Sequence, residues 1–377
     1  MCNFRLNHIL KKTESFCMAF SAALAAVSCI GVDYAYVDDG NGAPEGFGKT
    51  PVSLSFDWTG EKPEEIPDKM SVLMARKRNE IHYVWGLDSI GRLPGHDKPL
   101  DTLLRNGDYL ALAFNAPAAS YKTEGLDKFK SDRFYPLTYL SSSLEIPPYS
   151  DFKSEFGIGR DELCPEYVPV TSAEPLWHSF SEISLTQDSG KTGLDFCPKD
   201  LTLELDVKVR IKAVSGAEIK SVTAVLSGVP RTVNLMRGTV SDRSLYKVAF
   251  KMTPEEGSPE GNAVVYSGKV RTLGLFSEGF DSYLAGPGVL WLAVDASSGS
   301  VSKRLYAGIN MKYYIRSLEL MTLDSNSGGY TLNENSALLD KGTVLTVDGE
   351  KIVAGDNAVE PWSLMTDNHY KEAKNEK

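Results

Sequence analysis

The sequence predicts an all-β protein: two tandem β-sandwich domains that follow an export leader and a spacer. Three observations carry this. Short runs alternate apolar and polar residues with period two, the mark of a strand with one dry and one wet face. Gly and Pro, 32 and 19 of 377 residues, fall between those runs as turns require. No stretch holds a 3.6-residue period over about twelve residues, so helices are short or absent in the reading.

Residues 1–28 read as a leader. Arg5, Lys11 and Lys12 precede the apolar run Phe16–Val27, "FCMAFSAALAAV". The run is shorter than the ~20 residues a membrane-spanning helix needs. A basic start, a short apolar stretch and small residues at its end form a secretory signal. It ends in "AVSC", which resembles a bacterial lipobox with Cys29 as acceptor. That resemblance implies a diacylglycerol thioether on Cys29 and further acylation, of the palmitate kind, at its amine. Two or more chains, at about 0.8 kcal/mol per buried methylene, hold a protein to a bilayer. An ordinary cleaved signal, with Cys29 incidental, is the other reading.

Residues 29–49 are rich in Gly and Asp and read as a flexible spacer. The first sandwich is placed at 50–170. "PVSLSFDW" puts Val52, Leu54, Phe56 and Trp58 on one face. "GDYLALAFNA" puts Leu110, Leu112 and Phe114 on one face and Tyr109, Ala111 and Ala113 on the other, behind an Asn-Gly turn at Asn106–Gly107. Further strands fit Met70–Arg76 and Glu80–Gly86, and short helices fit "KPLDTLLRNG" and "EGLDKFKSDRF". Three prolines in Cys164–Pro175 mark a linker.

The second sandwich is placed at 176–325. Its clearest segment is "LTLELDVKVRIKAV", Leu201–Val214, with six aliphatic residues alternating against Thr, Glu, Asp, Lys, Arg and Lys. That pattern makes a sheet covered on one side, with the charges as a solvated face. Ile183–Thr186, Ser221–Leu226, Leu245–Met252, Val289–Val294, Lys303–Ala307 and Val344–Val347 complete the set. Residues 326–377 hold C-terminal strands and a loose polar tail. Within them Gly342–Trp362 reads as a closing strand pair or as a strand donated to a neighbour.

The net charge of −10, without basic runs, argues against a nucleic-acid partner. Cys164 and Cys197 either pair, worth ~3–4 kcal/mol through loop entropy, or stand as separate thiols. No catalytic, metal or cofactor motif is present: no H-E-x-x-H, no G-x-S-x-G, no phosphate loop. "DSNSGGYTLNEN", Asp324–Asn335, opens like a calcium loop, but Asn335 stands where the acidic twelfth ligand belongs. The five tryptophans, among them Trp58, Trp177 and Trp291, read as core residues more readily than as a sugar platform.

In order, "VSLSFDW" (Val52–Trp58), "IPDKMSVLMA" (Ile66–Ala75) and "LRNGDYLALAFNA" (Leu104–Ala116) resemble the fimbrillin-like lipoproteins of Gram-negative gut and oral anaerobes. These include subunits and anchors of the type V pilus. The second block, with "SVTAVLSGVPRTVNL" (Ser221–Leu235), is similar to that family's second domain. The resemblance implies two transthyretin-like, Greek-key sandwiches and assembly with fimbrial subunits by strand addition. Polymerising members lose an N-terminal strand to an arginine-specific protease. Here no arginine lies between Cys29 and Arg76. The expectation is a non-catalytic surface lipoprotein of the outer membrane, in adhesion or as pilus anchor or accessory subunit. The alternative is a carbohydrate-binding surface lipoprotein of a glycan uptake system, and the partner expected in either case is a host or glycan ligand.

Overall fold

The computed structural model describes residues 48–58, 66–67, 69–76, 90–91, 100–115, 119–125, 140–186, 190–240, 245–256, 262–277, 287–354 and 364–366. The leader, Cys29, most of the spacer, Glu80–Gly86, most of "EGLDKFKSDRF", Trp85 and Trp362 lie outside them. The described chain is nearly all strand.

Two sheets face each other in the first half. One has three strands: β1 (Lys49–Phe56) lies between β4 (Leu100–Arg105), antiparallel, and β10 (Thr192–Phe196), parallel. The other joins β2 (Lys69–Arg76), β3 (Ile90–Gly91), β5 (Gly107–Phe114), β9 (Trp177–Leu185) and β11 (Lys199–Asp200) in the order β11-β9-β5-β2-β3. Val52, Leu54 and Phe56 of β1 are buried against Val72, Met74, Tyr109, Ala111 and Ala113. Trp58 stacks on Phe56 at 6.1 Å and meets Trp177 edge-on at 5.4 Å.

The second half is an eleven-stranded sheet curled on itself. Its main path uses β12 (Leu203–Ala213), β13 (Ala217–Pro230), β16 (Leu245–Pro254), β17 (Val264–Thr272), β18 (Val289–Ser298), β19 (Val301–Asn310), β23 (Val344–Val347), β24 (Ile352–Ala354) and β25 (Leu364–Thr366). The order is β24-β23-β12-β17-β16-β13-β18-β19-β25, with β22 (Ser336–Leu339) on β12 and β8 (Pro169–Val170) on β16. The burial of β12 alternates from end to end, as its sequence requires. Each aliphatic side chain it buries is worth roughly 1.5–3 kcal/mol. Its wet face is zipped by ion pairs: Lys208 with Glu255 at 2.8 Å, Arg271 with Glu204 at 2.8 Å, and Arg210 with Asp340.

A six-stranded sheet belongs to both halves. Its order is β20-β21-β15-β14-β7-β6, with β6 (Tyr121–Glu124), β7 (Ser141–Leu144), β14 (Thr232–Asn234), β15 (Thr239–Val240), β20 (Met321–Leu323) and β21 (Tyr330–Leu332). At its centre Ser142 of β7 pairs with Val233 of β14. The core is likewise shared. Leu73, Leu112 and Phe114 of the first half lie in one cluster with Leu205, Val207, Leu226 and Leu292 of the second. β5 is therefore buried on both faces, because each face meets a different core.

The structure corrects three expectations. The boundary at Cys164–Pro175 is not where packing changes hands. Residues 177–196 return to the first half, because β9 and β10 pair with β5 and β1. Residues 336–354 in turn extend the second half beyond 325. "KPLDTLLRNG" holds no described helix but a strand, β4, since pairing with β1 outweighs the helix propensity of its leucines. Asn106–Gly107 closes no hairpin; it is a corner between two sheets, with Asn106 N–H donating to the Gly48 carbonyl at 2.9 Å. Of the two readings of Cys164 and Cys197, the structure has the separate thiols. Cys164 is buried with Phe152 and Trp291 under the second half, whereas Cys197 is exposed at the end of β10. Gly342–Trp362 includes the hairpin β23–β24, which closes on its own half through β12.

Residues 149–168 form a strap over the outer face of β13, β16 and β18. It opens with α1 (Tyr149–Phe156), which stops at Gly157 in a left-handed cap, φ 71°. Phe152, Ile158 and Leu163 cover Val225, Ala249 and Trp291. Arg304 grips Asp295 at 2.7 and 3.0 Å and reaches the Gly157 carbonyl at 2.8 Å. The strap then feeds β8 into the seam between β16 and β17. Those two strands pair only at Thr253–Ser267 and Pro254–Tyr266. β8 pairs with Lys247 and Val248 on one side, and Ala173 N–H reaches the Arg271 carbonyl at 2.8 Å on the other. A second helix, α2 (Lys312–Ser317), follows β19.

Candidate functional site

The chain crosses between its halves at Cys197–Thr202, and the crossing is held by a buried ion pair. The Asp200 carboxylate accepts from Thr202 N–H at 2.9 Å, Thr202 Oγ1 at 2.7 Å and Arg271 Nη1 at 2.9 Å. Burial pushes its pKa up, against the pull of Thr202 and Arg271. Asn335 Nδ2 donates to the carbonyls of Asp200 and Thr202, each at 2.8 Å. Tyr121 donates to the Glu174 carbonyl at 2.6 Å, and burial holds its hydroxyl protonated well above its ordinary pKa.

Beside this crossing opens a cleft of about 1000 Å³. One wall is β9, the end of β10 and β11; the other is the β14–β15 turn and the β20–β21 hairpin. The walls are kept in register by His178 and Gly238. Gly238 is left-handed, φ +62°, and a Cβ there would stand 2.3 Å from His178 Nε2. Only glycine lets the turn settle on the imidazole. Burial, helped by Lys199 and opposed by a hydrogen bond to the Leu235 backbone, lowers the His178 pKa to about 4, so the ring is neutral at physiological pH. Its Nδ1 makes no hydrogen bond among the described residues.

The cleft carries charges of both signs, Asp195 and Asp324 against Lys199 and Arg237. Phe180 and Tyr330 stand half-buried on opposite walls. Ser179, Ser181, Asn326 and Thr331 add hydroxyls and an amide. Asp324–Gly329 is the turn of the β20–β21 hairpin, closed on itself. Asp324 N–H donates to the Gly329 carbonyl and its carboxylate accepts from Asn326 N–H at 3.0 Å. Among the described residues no group of three or more His, Cys, Asp or Glu is placed to hold a metal.

Of the residues singled out in the sequence, Cys197 lines the cleft, Cys164 lies in the core beneath the strap, and Cys29 is outside the described residues. Trp177 and Trp291 are buried core residues. The cleft itself had no sequence signal, because its walls come from separate segments and separate sheets that only the packing of the chain brings together.

Fold and cleft define the class of the molecule: a two-lobed, all-β chain whose lobes share a sheet and frame a polar cleft. Several solved structures are similar to it, among them the following three. A candidate adhesin of Bacteroides ovatus ATCC 8483 is 13% identical, covering 74% of this chain and 87% of its own, with TM-score 0.47. Candidate polysaccharide-binding proteins (DUF1812) of Bacteroides thetaiotaomicron VPI-5482 are 11% identical, with 84% and 98% coverage and TM-score 0.44. The fimbrial anchor protein Mfa2 from Porphyromonas gingivalis is 10% identical, with 82% and 98% coverage and TM-score 0.39. No protein-family model and no curated protein matches the chain.

Proposed function

We propose that this chain is a non-catalytic surface lipoprotein, tethered to the outer membrane through acyl chains on Cys29, that acts in adhesion as a pilus anchor or accessory subunit. The observation that carries the reading is the shared sheet. A protein tied down at one end and gripping a partner is under tension. Here the halves are joined by a main-chain ladder, β7 to β14, and by one continuous core. Pulling them apart breaks several hydrogen bonds together instead of stretching a linker.

The titratable groups of the joint also support a binding role. Asp200 is committed to Thr202 and Arg271, and His178 is held neutral under Gly238. Partner subunits would add at strand edges, where main-chain donors and acceptors face outward. The exposed aromatics among the described residues, Tyr149 and Tyr313, sit on different helices and make no sugar-stacking row on a sheet. No helix among the described residues is long and apolar enough to cross a membrane.

The test is membrane fractionation of cells carrying the wild type or Cys29→Ser, with metabolic labelling by an alkynyl fatty acid. The wild type should label and sediment with outer membranes, and the variant should do neither. A variant that stays on membranes would overturn the tether. Unchanged adherence and pilus retention in cells lacking the chain would overturn the role.

A further inference from the structure

Resting on the adhesive reading, we propose that the interlobe cleft is the recognition site and that its ligand is a neutral oligosaccharide. The cleft holds about 1000 Å³, at the upper end of the ~300–1,000 Å³ typical of small-molecule sites. That is room for a short chain of rings.

The charges select for neutrality. Asp195 and Asp324 face the same space as Lys199 and Arg237, so a polyanion and a polycation would each meet like charge. Several of these groups are also tied to the protein. Asp195 accepts from the Ser55 hydroxyl, Asp324 accepts from Asn326 N–H, and Arg237 Nη1 donates to the Ser327 carbonyl at 3.3 Å. They act as fixed hydrogen-bonding points, not as a field of one sign.

A pyranose offers hydroxyls that both donate and accept, and C–H faces that are apolar. The walls match both. Ser181, Asn326 and Thr331 can donate and accept. Phe180 on β9 and Tyr330 on β21 present rings from opposite sides. Tyr330 is held edge-on to Phe276 at 5.0 Å, which sets its plane before any ligand arrives. Because each wall is built of paired strands, a ligand has little to order in them. An extended peptide would instead seek deep apolar pockets for alternate side chains, and the hydroxyls and charges of this cleft do not provide them.

The experiment uses the mature chain carrying Cys29→Ser, probed on an array of neutral glycans. Heparin hexasaccharide and a strand-forming decapeptide are printed on the same surface. At least one neutral oligosaccharide should bind saturably. Phe180→Ala should weaken it by about tenfold, and Phe180→Ala combined with Asn326→Ala should abolish it, both with unchanged thermal unfolding. No neutral glycan bound, preference for heparin or the peptide, or binding that survives the Phe180→Ala, Asn326→Ala double variant would each overturn the proposal. None of these results would touch the tether, which the Cys29→Ser fractionation reads separately.

Discussion

The ammonium of Lys247 stands 2.8 Å from the carbonyl oxygen of Cys164, inside the strap that covers the second half. It donates also to the Leu163 carbonyl at 2.8 Å and to that of Arg160. A strand lysine thus serves as the nucleus around which residues 160–164 fold, although it faces a layer that is otherwise apolar.

Replacing Lys247 by Met should therefore unseat the strap. It leaves three carbonyls short of a donor, at about 1–3 kcal/mol for each that stays buried. Water admitted by local opening will relieve part of this, so a loss of ~2–4 kcal/mol in urea unfolding is expected. Faster proteolysis within 149–168 should accompany it. A variant as stable and as resistant as the wild type would remove Lys247 from this role.

Lys247 also sets a pH dependence. Burial lowers its pKa to about 8 from 10.5. Between those values the unfolded chain holds more protons than the folded one, so this contribution to stability rises as pH rises from about 8 toward 10. The wild type should show that gain in unfolding free energy, and Lys247→Met should lack it. Equal slopes for the two proteins would refute the assignment.

His178 sets the acid limb. Its pKa falls from 6.5 to about 4 on folding. The unfolded chain binds the proton first, so stability falls as pH drops from about 6.5 to 4, by up to roughly 3 kcal/mol. His178→Asn should flatten that limb of the denaturation profile, and a slope that persists would place the titration elsewhere.

Arg271→Leu should cost ~3–5 kcal/mol, because it strands the buried Asp200 carboxylate. Adding Asp200→Asn should recover part of the loss, and a double-mutant cycle reads the coupling. Additive effects would mean that the two groups do not interact.

The thiols should react differently. Cys197 is exposed and should take iodoacetamide in the native protein. Cys164 is buried, with its pKa pushed up to about 12, and should react only on unfolding. Peptide mass spectrometry that finds both blocked as a disulfide in the secreted protein would contradict the structure.

Much of the local structure was legible in the residues. Leu203, Leu205, Val207, Val209 and Ile211 bury the face that their alternation foretells. Trp177 and Trp291 are in cores, and β23–β24 closes on its own half. Less visible were strands with two dry faces. β13 runs buried from Val222 to Pro230, which erases the period-two pattern. α1 is eight residues long, too short for a helical period to declare itself.

The sequence alone determined that the chain is all-β, where many of its strands lie, and which faces of the alternating ones are dry. Those are properties of one segment at a time, dictated by a side-chain period of two. Only the tertiary structure decided that β9 and β10 return to the first half, that β7 pairs with β14, and that His178 meets Gly238 across a polar cleft. Strand pairing is made by backbone groups that every residue carries, so nothing in one segment names its partner; only simultaneous burial of all the dry faces does.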